Sequence, residues 1–259
     1  MNTQDSFRTR MEEMRVGIER HFSEMTPEDR AKLDAARAKD EADKAEQKRM
    51  LPFVRSGISR RLGADDIDKI TSGAQYDTAS LKSVRKWIVE ARKPEGERMS
   101  WWGPCLWLGG PRGVGKTMAA AWAIHEMLHV DATYITFLEL CRIAKHRESF
   151  KTAEAEEAEE RFERIAKRPL LVLDEVGQES EAIREMAKIT LHDLVDIRRH
   201  VRGLTLVLSN KSGDTIRQRF ADDWYDSRTE SRLRQLLTRD ANGKGLHDIK
   251  GEDLRGEPI

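Results

Sequence analysis

Along the 259 residues, the spacing of apolar positions changes character near residue 100. Residues 1–50 alternate charge and alanine, as in EDRAKLDAARAKDEADKAEQKRM, with too few large apolar side chains to build a core. Such a stretch can hold as a solvated helix through side-chain pairs three and four residues apart, or stay partly disordered in isolation. SEMTPEDR supplies the helix start: Thr26 as the cap, Pro27 in the first turn and Asp29 three residues after the cap. Residues 51–72 are mixed, with two glycines that interrupt any long helix. Over residues 80–92, Leu81, Val84, Trp87 and Ile88 recur at helical spacing, which predicts an amphipathic helix with that face turned inward. From residue 101 on, short apolar runs alternate with longer helical patterns, the rhythm of an α/β domain. Strands are expected at 104–108, 133–137, 170–173 and 205–208, and helices after Lys116 and over 139–145, 152–166, 181–200 and 229–237. Short apolar strands joined by such helices lie parallel in a sheet covered on both faces.

The chain thus divides into a charged helical extension that docks a partner (1–50), a linker with an amphipathic helix (51–98) and an α/β core (99–259). At this length a core forms without disulfide or metal staples. The two cysteines, Cys105 and Cys141, lie in or beside apolar segments and are expected to be buried rather than reactive. The N-terminus carries mixed charge, and no uninterrupted apolar run approaches the roughly 18 residues of a membrane span, so a cytoplasmic protein without a membrane association is expected.

Forty-six basic residues against 46 acidic ones leave a formal net charge of 0, which does not mark a tight stand-alone nucleic-acid binder but leaves room for local basic stripes. Two clusters are candidates for DNA contact: Arg142, Lys145, His146 and Arg147 after the second strand, and Arg198, Arg199 and Arg202 near the fourth. A solvated helix face is the alternative for each. Trp101, Trp102 and Trp107, beside the first core strand, read as packing rather than as base-stacking platforms.

The sharpest chemistry lies in LWLGGPRGVGKTM. Gly110, Pro111, Arg112, Gly113, Val114, Gly115, Lys116 and Thr117 have the P-loop spacing, directly after an apolar strand and directly before a helix that continues with Met118. Glycines there let backbone N–H groups turn toward phosphate oxygens, and the helix start adds its positive end. Lys116 can reach the terminal phosphates and Thr117 can ligate magnesium. PLLVLDEVG places two carboxylates at the end of an apolar strand: Asp174 for the metal, and Glu175 to orient the water that attacks the γ-phosphate. Asn210, at the end of LTLVLSN, could touch that water or the γ-phosphate.

With these segments in this order, the chain resembles the AAA+ ATPases and, within them, the DnaC/IstB group of replicative-helicase loaders and transposase-helper ATPases. GISRRL, GGPRGVGKT, VLDEVG, DIRRHVRGLTLVLSN, TESRLRQL and KGEDLRG carry the resemblance from about Gly57 to the C-terminus. It implies a three-layer α/β P-loop NTPase domain with no clear C-terminal lid, ATP/ADP and Mg2+ as ligands, Asn210 as first sensor and Arg232 as a finger serving a neighbouring subunit's nucleotide. Arg228 and Arg234 are close competitors for that finger. The acidic motif here is Asp-Glu where many of the group carry Asp-Asp. The resemblance further implies a homo-oligomer that loads a hexameric replicative helicase onto single-stranded DNA. The rival job in the group is presenting duplex DNA to a transposase, and a different class is a nucleotide-gated structural adaptor. The charged extension favours the loader, and a chain of this size fits a phage or mobile-element replication module.

Overall fold

The computed structural model describes residues 12, 14, 15, 25–72, 78–147, 153–201, 203–222, 224–239 and 245–249. The chain divides into two compact units, Met1–Met50 and Leu51–Ile259. In the first, the helix α1 (Pro27–Ser56) begins where the sequence predicts. The Thr26 hydroxyl oxygen accepts from the Asp29 N–H at 3.2 Å, and its O–H donates to the Asp29 carboxylate at 2.7 Å. Pairs such as Glu28 with Lys32 and Asp40 with Lys44 follow along an exposed surface. Exposed pairs at this spacing each contribute only a few tenths of a kcal/mol, roughly 0.3–0.5, so the exposed part of this helix before residue 50 is held locally and weakly, whereas its last turns bury Phe53 and Ser56.

The second unit is built on five parallel strands: β1 (Cys105–Gly109), β2 (Ala132–Thr136), β3 (Leu170–Asp174), β4 (Leu204–Leu208) and β5 (Leu246–Asp248), in the order β2-β3-β4-β1-β5. β1 and β3 are buried along their whole length, as continuous apolar runs in a two-sided parallel sheet require. Because successive side chains point to opposite faces, Trp107, Leu171, Leu173 and Val207 join one core. That core is completed by α5 (Phe137–Arg147), α6 (Ala153–Ala166), α7 (Arg184–His200) and α9 (Ser227–Leu236). On the other side α4 (Lys116–Glu126) packs against β3 and β4, and its fully buried Ala119, Ala120, Ala121 and Ala123 let it lie close to the sheet. Two helices cover α4: α2 (Ala64–Thr71) and α3 (Ala79–Ala91). Leu81, Val84, Trp87 and Ile88 of α3 are all buried, as their spacing predicts, and the Trp87 indole N–H donates to the Gly103 carbonyl at 2.9 Å.

Both cysteines are free and buried, and burial pushes each thiol up to about 12. Trp107 lies in the core; Trp101 and Trp102 are half-buried, each beside a cation, Lys86 and Arg98 respectively. Among the described residues no helix is long and apolar enough to cross a membrane.

The main differences from expectation lie in four elements. The helix α2 forms within a segment read only as mixed. β2 ends one residue earlier than predicted, because Thr136 and Glu139 form a reciprocal capping box. The Thr136 N–H and O–H reach the Glu139 carboxylate at 3.0 and 2.8 Å, and the Glu139 N–H reaches Thr136 Oγ1 at 3.2 Å, so Phe137 opens α5. The helix α8 (Gly213–Ala221) went unpredicted, although Ser212 caps it by accepting from the Thr215 N–H at 3.2 Å. β5 was also missed: three residues are too short to show a pattern. KGEDLRG, read as the closing strand and turn, lies outside the described residues.

Candidate nucleotide site

The carboxyl ends of β1, β3 and β4 meet at one cavity of about 490 Å³, lined by Arg112, Gly113, Gly115, Lys116, Thr117 and Met118 together with Asp174, Glu175 and Asn210. Pro111 and Val114 complete the same loop; Pro111 is exposed and Val114 buried. Gly110 has φ 140°, and a Cβ there would come within 2.4 Å of the Ile249 carbonyl, so neither the conformation nor the space admits a side chain. Gly115, at φ 80°, ends the loop as the residue before α4. The loop is braced from behind: the buried Ser80 hydroxyl on α3 donates to the Val114 carbonyl at 2.8 Å.

Lys116 is only 6% exposed. Its ammonium donates to the carbonyls of Gly110 and Pro111 at 2.8 and 2.7 Å, which holds the cation at the loop's mouth, where a phosphate oxygen can compete for it. Arg112 is exposed and reaches the Gln178 side chain at 3.4 Å.

Asp174 ends β3 in a buried position, accepting from the Tyr134 hydroxyl at 2.5 Å and from the Glu175 N–H at 2.7 Å. Burial raises its pKa above the ordinary carboxylate value, while those two hydrogen bonds partly oppose the rise. The folded chain therefore holds this proton more tightly than the unfolded chain does. Asp174 favours the fold below the ordinary carboxylate pKa, and that contribution fades as pH rises through the elevated value. Glu175 has φ 63°, the one left-handed non-glycine residue among those described. Such strain collects where the surrounding structure has to aim a side chain. Behind it, buried Glu179 accepts from the Gly177 N–H at 2.8 Å, the Tyr225 hydroxyl at 2.8 Å and the Arg219 guanidinium at 3.1 Å, which pins the turn after β3.

A hydroxyl, one buried carboxylate and a glycine cradle form a donor set suited to a magnesium ion that also takes phosphate oxygens. No cluster of three His, Cys, Asp or Glu side chains able to hold a metal occurs among the described residues.

Motif spacing did not reveal four further residues around the cavity. Tyr134 is the partner of Asp174. Arg61, on the 3-10 turn Ile58–Arg61, pairs with Glu175 at 3.3 Å. Asp66 and Lys69 of α2 line the same cavity. All come from segments distant in sequence, so only the fold brings them in.

Arg232 sits on α9, outside this cavity, where it pairs with Asp196 at 2.7 Å and meets the His192 ring at 3.2 Å. Arg234 pairs with Glu230, whereas Arg228, one turn before Arg232, is exposed and has no side-chain partner among the described residues. The basic clusters separate sharply. Arg142 and Lys145 are exposed, and Arg199 lies 3.8 Å from Asp196. Arg147 is held by Glu159 and Asp193 and lies over the Phe162 ring. Arg198 corrects its assignment to a DNA-facing surface. It is 3% exposed and donates to Thr205 Oγ1 and to the carbonyls of Ala166, Arg168 and Leu204 at 2.6–2.9 Å, with burial lowering its pKa to about 10. Arg202 lies outside the described residues.

No protein-family model matches the sequence, and no curated protein does either. Among solved structures, the chain is similar to the crystal structure of the DnaC helicase loader, with a TM-score of 0.51 at 17% identity over 73% of this chain and 100% of that one. It is also similar to DnaI, with a TM-score of 0.49 at 22% identity over 72% and 89%. For AMPPCP-bound DnaA from Aquifex aeolicus the TM-score is 0.46 at 18% identity over 69% and 50%. The fold is a mixed α/β architecture with a parallel sheet and helical extensions, similar to that of the DnaC helicase loader.

Proposed function

We propose that this chain is an ATPase that loads a hexameric replicative helicase onto single-stranded DNA. The observation that carries the enzymatic half is convergence: Lys116, Thr117, Asp174, Glu175 and Asn210, from three separate strand ends, line one cavity. The backbone of the glycine loop binds the phosphates and Lys116 neutralises their charge. Thr117 and Asp174 would hold a magnesium ion, which supplies further charge neutralisation when bound. Glu175 orients the attacking water, and Asn210 contacts that water or the γ-phosphate. Arg232 completes a neighbour's site in a homo-oligomer once its bond to Asp196 is exchanged, and exposed Arg228 is its nearest rival. Exposed Arg142 and Lys145, with Arg199, supply the DNA-facing charge, while Arg147 orders the helices behind them.

The loader half rests on the likeness to the DnaC helicase loader and on the exposed, charge-patterned helix that begins at Pro27 in the extension, which offers surface for a protein partner. The full chain, incubated with purified hexameric replicative helicase and ATP, is expected to co-sediment with it and to place it on circular single-stranded DNA. Removal of residues 1–50 is expected to abolish co-sedimentation while ATPase activity stays. Co-sedimentation with a transposase on duplex DNA instead would move the chain to the transposition-helper role.

A further inference from the structure

A second cavity, of about 600 Å³, lies along the β2 edge of the sheet; of its lining, only Arg142 has a role above. Its lining is dominated by arginine. Arg55 comes from the last turn of α1 and Arg60 from the turn Ile58–Arg61, both within the second unit, Arg142 from α5, and Arg161 and Arg164 from α6, and all five are exposed. None of the five has a side-chain hydrogen bond or ion pair among the described residues, in a chain whose formal charge sums to 0 and whose other cations are widely paired. Arg168, which also lines the cavity, leaves its buried Nε–H without an acceptor. The one carboxylate in the lining, Glu139, is engaged by the N–H and O–H of Thr136. Glu139 faces Arg60 and Arg61, and Arg168 pairs with Asp131, but the remaining guanidinium groups outnumber these carboxylates, and a polyanion offering several phosphates to planar guanidinium forks relieves the excess positive charge. Arg61 lines both this cavity and the nucleotide cavity, where it pairs with Glu175.

We propose that the arginine-lined cavity binds closely spaced phosphate groups, of a nucleic-acid strand or of a free polyphosphate, and that Arg61 couples its occupancy to Glu175. Phosphates in the cavity compete with Glu175 for the Arg61 guanidinium, and the released carboxylate is then free to orient water. The coupling rests on the hydrolytic role proposed for Glu175; the binding site does not.

Two measurements on the full chain test this separately. In the first, fluorescein-labelled oligo(dT) and inorganic polyphosphate are titrated without nucleotide into the wild type and into the triple variant Arg142→Gln, Arg161→Gln, Arg164→Gln, with folding checked by circular dichroism. Each single variant is measured too, in case the triple one does not fold. Affinity is expected to fall at least about tenfold in the triple variant, and the dependence of log affinity on log salt to flatten by about 2, from three lost phosphate contacts at ~0.7 each. Loss confined to oligo(dT) identifies a strand as the ligand, and loss confined to polyphosphate identifies the free anion. Unchanged affinity for both in folded variants overturns the site. In the second, the ratio of ATP hydrolysis with and without the saturating anion is compared between wild type, Arg61→Ala and Arg61→Lys. The ratio should exceed 1 in the wild type, fall to about 1 in the alanine variant and be partly restored by lysine. A ratio of 1 in the wild type, or one unchanged in Arg61→Ala, overturns the coupling. A chain that hydrolyses no ATP contradicts the role of Glu175, yet leaves the first measurement intact.

Discussion

Lys116 and Arg198 are both buried cations whose partners include backbone carbonyls, and they sit at opposite ends of the same parallel sheet. Arg198 lies where β3 and β4 begin, and its four acceptors belong to α6, the approach to β3 and β4 itself. Its donors are spent on rigid neighbours, which makes it a clamp. Lys116 lies where β1 ends, and the Gly110 and Pro111 carbonyls that it reaches belong to a glycine loop outside the packed core. Its charge can be redirected to an incoming anion without dismantling a core. A buried cation is structural or functional according to what holds its partners, and not according to its burial.

Replacing Arg198 by alanine sharpens the contrast most. It strands three carbonyls and a threonine hydroxyl in the interior, so unfolding free energy should drop by at least about 3 kcal/mol. Thermal and denaturant unfolding will measure it; a loss below about 1 kcal/mol would show that the clamp is dispensable. At the other end of the sheet, Glu175→Gln keeps the shape of the side chain and removes its basic oxygen. ATP affinity should stay close to wild type while single-turnover hydrolysis slows about 10²-fold or more, the usual scale for a positioned base. Wild-type turnover would assign the water to another group. The smallest effect is expected of Tyr134→Phe, which removes one hydrogen bond from the Asp174 carboxylate. That bond opposes the rise in the Asp174 pKa, so without it the acid limb of the pH–rate profile should move to higher pH and stability should change by only about 1 kcal/mol. A limb that stays in place or moves to lower pH would show that Asp174 does not control it.

The meeting of the P-loop, the Asp174-Glu175 pair and Asn210 at one cavity was legible, because each follows or ends a recognisable strand. The helix start at Thr26 and the inward face of α3 were legible as well. Arg198 was misassigned although its signal was present. In α7 the buried positions Ala187, Leu191, Leu194, Val195 and Arg198 keep one helical phase, which turns Arg198 inward and Arg199 out. Reading RRH as a charge cluster ignored that phase. Tyr134, Arg61 and the arginine-lined cavity were illegible, because they depend on which segment the fold lays against the β2 edge. α8 was missed because its cap, Ser212, sits in a segment that reads equally well as a strand-end loop.

The central claim, that the glycine loop and Lys116 form a working phosphate site, is tested most directly by titrating a fluorescent ATP analogue with magnesium into the wild type and Lys116→Ala. Losing a charge-assisted contact of roughly 1.5–3 kcal/mol should weaken binding by about 10- to 100-fold, while the melting temperature of the nucleotide-free protein stays near wild type. An unchanged dissociation constant in a folded Lys116→Ala protein would contradict the account.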